Sequence, residues 1–371
     1  MKHKIIVLSD WTYPLEKSWS GTTYSLTQAL SRFFDVEIKN LAIGKWLNSC
    51  EKLAGLPVIG SAFGRLYDYC LKIKANKVIG GNKRIPVFEI CQDIKVKNPY
   101  FTYQDMTYHA GLLVKRMKVQ FPFIYQAAGN NFFSEHEIHR REKRQYDEYR
   151  NAQAAFFMSK WVEIIMRDFH KDIASKFIHI GGGTNIDIHK IDLSKKEGNK
   201  FLFIGRDFER KAGDLVIEAF CILKKKYMPN AELHMAGCAP QDKIDGIYYY
   251  GDVDYNKVSE LFNSCDVFCM PSRFEAYGLV FVEALIFGLP CIGRKFFEMP
   301  HFIKEGEEGA LIENDNPQIL AQTMFNVISD KEMIASIQAK QLDYINRYSW
   351  NSVAERAKIV IEAKLNWASS Q

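Results

Sequence analysis

Two carboxylates, Glu275 and Glu283, stand eight residues apart in the stretch PSRFEAYGLVFVEALIFGLP, residues 271–290. That spacing is about two helical turns, so the pair suits the border of one elongated polar ligand better than a shared metal ion. A second group is Gly205, Arg206 and Lys211, in a loop that follows the apolar run Phe201–Ile204. An arginine fork and a lysine point charge beside a glycine can clamp a pyrophosphate. Each residue taken singly has a plainer account: Glu275 complements a helix dipole, Glu283 is solvated, and the loop cations face water. The neighbours of Glu283 speak against that account, because Phe281, Val282, Ala284 and Leu285 leave little solvated surface around it.

The elements that must position these groups can be read from periodicity. Val267–Met270 is a short apolar run of strand type, Pro271 and Ser272 break it, and Leu279, Phe281, Val282, Leu285 and Ile286 recur at helical spacing after Gly278. A strand, a tight turn and a helix N-terminus therefore meet at Glu275. The unpaired amides and partial positive charge of such a terminus favour a phosphate or a cluster of sugar hydroxyls. The chain begins the same way: a strand at Lys4–Leu8, a polar loop with Pro14 and Gly21, and a helix that Thr22 or Thr23 can cap. Further βα alternation fills both halves, which predicts doubly wound parallel sheets.

Asp105 lies just past the apolar run Tyr100–Tyr103, where a doubly wound sheet opens its ligand crevice. A helix N-cap is the alternative role for it. The segment Ser134–Arg150, SEHEIHRREKRQYDEYR, reads as a helix with a solvated, mixed-charge face. Residues 181–187, GGGTNID, form a flexible connection between halves. EGEEGALIENDNP reads as a hairpin-like turn and a strand.

Bulk properties narrow the function classes. With 371 residues, 47% of them hydrophobic, two domains are expected. No run of 18 uncharged apolar residues exists, and the first apolar segment is too short for a signal peptide. Several cysteines, such as Cys221 and Cys269, fall in apolar runs, as reduced thiols of a cytoplasmic protein do, and Cys265 and Cys269 lack the second pair a zinc site needs. Residues 1–185 hold 27 Lys and Arg against 17 Asp and Glu, while the remainder holds 22 against 27. The basic first half is compatible with peripheral contact at the inner face of an anionic membrane, or with plain solubility. Nothing in it reads a nucleic-acid sequence.

EAYGLVFVEAL followed by GLPCI resembles the E-x7-E signature of retaining glycosyltransferases of family GT4. FIGRDFERKAGDLVIEAF resembles that family's G-R…K-G…A-F segment, with Ala212 in place of the usual glycine. The resemblance implies an α/β GT-B fold, two Rossmann-like doubly wound domains facing a central cleft. Residues 1–183 would be the acceptor side and 184–348 the nucleotide-sugar side, with 349–371 a helix packing back on the first domain. It further implies transfer of a sugar from a nucleotide sugar to a hydroxyl of a glycan or lipid-linked acceptor, in polysaccharide or glycoconjugate assembly.

In that scheme Gly21 belongs to the first glycine loop, and Gly205, Arg206 and Lys211 hold the donor phosphates. Glu275 contacts sugar hydroxyls, Glu283 the ribose, the backbone of Ala276, Tyr277, Gly278 and Leu279 the sugar and phosphate, and Val253 lies where the base is met. Glu275, Arg206, Lys211 and Asp105 form the catalytic set. Asp105 falls where many members have a histidine, and His109 follows four residues later. Phe296–Pro300 replaces a glycine-rich turn. No D-x-D metal motif is evident in a suitable loop, so cations of the protein would take a metal's place and no cofactor is expected. A nucleotide-sugar epimerase, a phosphorolytic enzyme and a catalytically weak binding subunit are the alternatives within or beside the same fold.

Overall fold

The computed structural model describes residues 2–56, 60–91, 93–124, 133–238 and 243–367. These cluster into two compact units, one of residues 2–120, 133–185 and 349–367, the other of 121–124 and 186–348.

In the first unit the chain runs β1 (Lys4–Ser9), α1 (Thr22–Ser31), β2 (Asp35–Asn40), α2 (Lys45–Leu53), α3 (Gly60–Ile79), β3 (Val87–Ile90), β4 (Tyr100–Gln104), α4 (Tyr108–Gln120), α5 (Glu135–Asn151), β5 (Ala154–Phe157), α6 (Lys160–Phe169) and β6 (Phe177–His179). The six strands form one parallel sheet in the order β2-β1-β3-β4-β5-β6. Both faces are covered, so β3, β4 and β5 are buried at every residue and are largely apolar, with Glu89, Thr102 and Gln104 as buried polar exceptions. β2, at one edge, is half-buried to exposed and carries Glu37, which pairs with Lys4 and Lys39.

The second unit repeats the plan with β7 (Lys200–Ile204), α7 (Gly213–Lys226), β8 (Glu232–Ala236), β9 (Ile247–Gly251), α8 (Tyr255–Ser264), β10 (Val267–Cys269), α9 (Leu279–Ile286), β11 (Cys291–Arg294), α10 (Met299–Phe302), β12 (Gly309–Ile312), α11 (Pro317–Ser329), α12 (Lys331–Ala339) and α13 (Gln341–Arg347). Its sheet is also parallel, ordered β12-β11-β10-β7-β8-β9. Along the β9 edge His234 stacks on Tyr248 and Tyr250, with ring centroids 5.1 and 5.8 Å apart. The final helix, α14 (Trp350–Leu365), belongs to the first unit and packs on α1. Trp350 closes over Gly183, where a Cβ would lie 2.6 Å from the indole, and its Nε1 donates to Asn185 Oδ1 at 2.8 Å.

Three local expectations are corrected. The N-cap of α1 is Gly21, left-handed at φ 86°, and neither Thr22 nor Thr23 caps; both are buried in the first turn, and a Cβ at Gly21 would stand 3.0 Å from Asn185 Nδ2. The turn after Lys304 leads to no hairpin: β12 pairs parallel to β11, because the chain has crossed over through α10. Helix α5 is not merely a solvated surface: Glu137, Ile138, Arg141, Gln145, Glu148 and Tyr149 are buried. Glu137 accepts from Arg140 Nε, Arg140 Nη2 and Arg141 Nε, each at 2.8 Å, so the charges entering the interior neutralise one another within a single turn.

Candidate active site in the second unit

β10 is a short central strand, buried throughout, that delivers the chain to a loop at its carboxyl end. That loop, Pro271–Gly278, is held from two sides. Arg273 is the first clamp: its guanidinium binds Asp214 through two bonds of 2.8 and 2.7 Å and Asp315 at 2.7 Å, and its amide donates to Arg210 O at 2.8 Å. Arg294, at the end of β11 and wholly buried, is the second. Its Nε donates to Pro271 O at 3.1 Å and Ser272 O at 3.2 Å, and its Nη2 to Asp315 Oδ1 at 2.6 Å. Arg210 adds a bond from Nη1 to Phe274 O at 2.9 Å.

These bonds join the β10–α9 loop to the β7–α7 loop, and the join brings Lys211 against Glu275. Lys211 Nζ donates to Glu275 Oε2, both side chains being buried, while Ser272 Oγ donates to the same oxygen at 3.3 Å. Burial lowers the Lys211 ammonium from its ordinary range, and the Glu275 charge offsets part of that drop. Arg210 Nη1 lies 3.9 Å from the same carboxylate. A buried carboxylate between two cations is thus set one turn before α9, whose N-terminus has no side-chain cap. The amides and partial positive charge of a helix N-terminus can serve an anion or a sugar hydroxyl.

Gly278, the N-cap of α9, is left-handed at φ 97°, and a Cβ there would lie 2.9 Å from Glu275 Cγ and from Phe281 Cδ2. Gly278→Ala is therefore expected to cost about 1–3 kcal/mol. The loss would be read as a lower Tm together with weaker ligand binding, since the new methyl pushes on Glu275 itself.

Of the other residues singled out by sequence, Glu283 is buried on α9, Ala276 is half-buried, Tyr277 packs edge-on to Phe302 at 5.0 Å, and Leu279 opens the helix. Gly205 follows β7, and a Cβ there would come within 2.8 Å of Lys211 Cγ, so the glycine makes room for the lysine stem. Arg206 is not gathered into the pair. Its side chain is 80% exposed and bonds to Asp252 at 3.0–3.1 Å. Val253 lies half-buried in the loop after β9. Ala212 stands at φ 62°, a left-handed position, which accounts physically for a glycine being usual there in the resembling segment. Phe297 is likewise left-handed and packs edge-on to Phe274 at 5.1 Å.

Gly21 and Asp105 belong to the first unit. Asp105 follows β4 at its carboxyl end, and the cap of α4 comes instead from Thr107, whose Oγ1 accepts from Ala110 N at 3.1 Å. His109 is turned into the helix layer, bonded to Glu142 at 2.5 Å and stacked on Phe169.

Arg210, Arg273 and Arg294, not singled out by sequence, also build the site, and Ser272, which breaks the strand, adds a bond to Glu275. Arg273 and Arg210 each stand within two residues of a singled-out carboxylate or lysine, and that adjacency was the available signal.

Residues 185–342 match the family model described as Glycosyl transferases group 1. The glycosyltransferase of Rickettsia africae superposes over 99% of this chain and 100% of its own, with a TM-score of 0.65 at 12% identity. The fold is GT-B. Anabaena Alr3699/HepE, solved in complex with UDP-glucose, superposes over 97% of this chain and 99% of its own at TM-score 0.62 and 13% identity. By sequence, the chain is 24% identical over 203 residues to the phosphatidyl-myo-inositol mannosyltransferase of Mycolicibacterium smegmatis, covering 51% of this chain and 53% of that protein. The chain thus spans about half the length of that curated relative. Among the described residues no group of three or more His, Cys, Asp or Glu side chains is arranged to hold a metal ion, and no helix is long and apolar enough to cross a membrane.

Proposed function

We propose that this protein is a glycosyltransferase that moves a sugar from a nucleotide-sugar donor to a hydroxyl of a glycan or lipid-linked acceptor, with retention at the anomeric carbon. The observation that carries the reading is the buried Lys211–Glu275 pair before the uncapped N-terminus of α9, inside the segment that matches the family model. Donor cleavage builds negative charge on the departing diphosphate. Lys211 and the α9 amides are fixed before the reaction, so they stabilise that charge without having to reorganise. Arg206, on a long exposed side chain, would leave Asp252 for the phosphate. Glu275 would hold the sugar hydroxyls and Glu283 the ribose. Cations of the chain supply the charge that a metal would otherwise bring, and no cofactor is required.

Thermal-shift measurements with UDP-, GDP- and ADP-sugars, without added metal, test this. One donor at a hundred times its Kd is expected to stabilise the protein by about 2.7 kcal/mol and raise Tm by about 5–10 °C. Arg206→Ala, which changes only an exposed side chain, should keep the unliganded Tm and lose most of the shift. No shift with any nucleotide sugar would defeat the donor assignment.

Peripheral contact of the basic first half with anionic lipid belongs to the same proposal. α3 exposes Leu66, Tyr69 and Ile73 among basic residues. Sedimentation with liposomes that ignores both anionic lipid content and salt would remove it.

A further inference from the structure

Both arginine clamps of the β10–α9 loop end on one carboxylate, Asp315, which itself bonds to neither Lys211 nor Glu275. Its place follows from the parallel fold, in which each crossover helix starts at the carboxyl edge of the strands. Asp315 lies between β12 and α11, beside the N-cap Asn316, and Asp214 lies in the first turn of α7. α7 and α11 pack against each other, so both carboxylates are delivered to the same edge. There Arg273 spans them, with Nη2 to Asp214 at 2.7 Å and Nε to Asp315 at 2.7 Å.

The other oxygen of Asp315 accepts from Arg294 Nη2 at 2.6 Å. Arg294 is wholly buried, and Asp315 is the one carboxylate in ion-pair range of it among the described residues. A guanidinium is a flat fork, so fixing Nη2 also fixes the plane in which Nε donates to Pro271 O and Ser272 O. Ser272 in turn donates its hydroxyl to Glu275 Oε2 at 3.3 Å, and Arg273 stands two residues before Glu275. Bonds therefore run from Asp315 through each arginine to the backbone that presents Glu275. Charge closes within the group as well: Lys211, Arg273 and Arg294 face Asp214, Glu275 and Asp315. Removing the Asp315 charge would leave the Arg294 cation unpaired in the interior and free its plane to turn.

We infer that Asp315 is a positioning residue for the candidate donor site: through Arg294 and Arg273 it holds the backbone of residues 271–275 so that Glu275 meets Lys211. Its effect on rate rests on the glycosyltransferase reading above, and its hold on the loop does not.

Asp315→Asn keeps the shape of the side chain and removes its charge. Hydrogen exchange in the unliganded variant is expected to be about tenfold faster or more at the amides of residues 272–278, with strands β7 and β8 unchanged. In turnover of UDP-glucose, GDP-mannose or ADP-glucose, whichever raises Tm, kcat read as nucleoside diphosphate released should fall about tenfold or more. The double variant Asp315→Asn/Glu275→Gln should match Glu275→Gln alone to within about threefold, because a residue that acts through Glu275 has nothing left to position. Should Asp315→Asn not fold, Arg294→Met/Asp315→Asn removes the buried cation and its carboxylate together, a replacement that folded proteins often tolerate, and it carries the same measurements.

Losses in kcat that multiply in the double variant, or exchange that rises equally across the second unit, would overturn the inference and make Asp315 a general stabiliser. Exchange at residues 272–278 that matches wild type would overturn it too. If wild type turns over none of the three nucleotide sugars, the donor proposal fails, and the exchange measurement still decides whether Asp315 holds the loop.

Discussion

Glu275→Gln is expected to lower Tm less than Glu275→Ala and to lose about 10²–10³-fold in kcat, measured as release of nucleoside diphosphate from the donor that the thermal-shift panel selects. The amide keeps an acceptor for Lys211 and Ser272, so the loop survives, but the negative charge that orders both cations is gone. Glu275→Ala should behave differently. It leaves a buried lysine facing Arg210 with no counter-charge, at a cost of about 3–5 kcal/mol, and the loss of stability would accompany the loss of rate. The pH profile gives a third reading of the same pair. Because burial lowers the Lys211 ammonium from its ordinary range near 10.5, the alkaline limb of activity should begin below that range and should be absent in Lys211→Arg. An unchanged kcat in Glu275→Gln would remove the pair from the catalytic account.

The second large effect belongs to stability. Glu137→Ala is expected to destabilise the first unit by about 3–5 kcal/mol, because it strips Arg140 and Arg141 of the carboxylate they share inside α5. Burial alone would raise the Glu137 carboxyl, but hydrogen bonds and charge from the two arginines outweigh it and hold the group below its ordinary value. A carboxyl with a depressed folded-state pKa contributes stability that is complete above its unfolded pKa, near 4.5, and is lost as pH falls through the folded value. Acid denaturation followed by circular dichroism should therefore lose that increment below pH 4.5 in wild type. Glu137→Gln should show a flatter acid limb from a lower starting point.

Much of the architecture was legible because parallel strands buried on both faces are mostly apolar. Runs such as Phe201–Ile204 and Val267–Met270 announce themselves, and the loops that follow them carry Lys211 and Glu275 where a ligand is expected. The clamps were not legible. Arg273 reaches partners 59 and 42 residues away, at Asp214 and Asp315, and no local pattern encodes such a distance. Helix α5 deceived for a related reason: composition reports how many charges a helix has, and not that Glu137 and Arg141, four residues apart, cancel inside the protein. Gly21 hid behind two threonines because capping preference by residue type is outweighed by a left-handed backbone pressed close to Asn185.

The two sheets end unlike each other. β2 borders water with Asp35, Glu37 and Lys39, charges that repel a foreign strand. β9 borders it with the uncharged run IYYYG, where Tyr248 and Tyr250 stack on His234. Once heating loosens that stack, the edge strand becomes a template for neighbouring chains. Aggregation would start from the second unit, and the recoverable fraction after a melt would then fall as protein concentration rises.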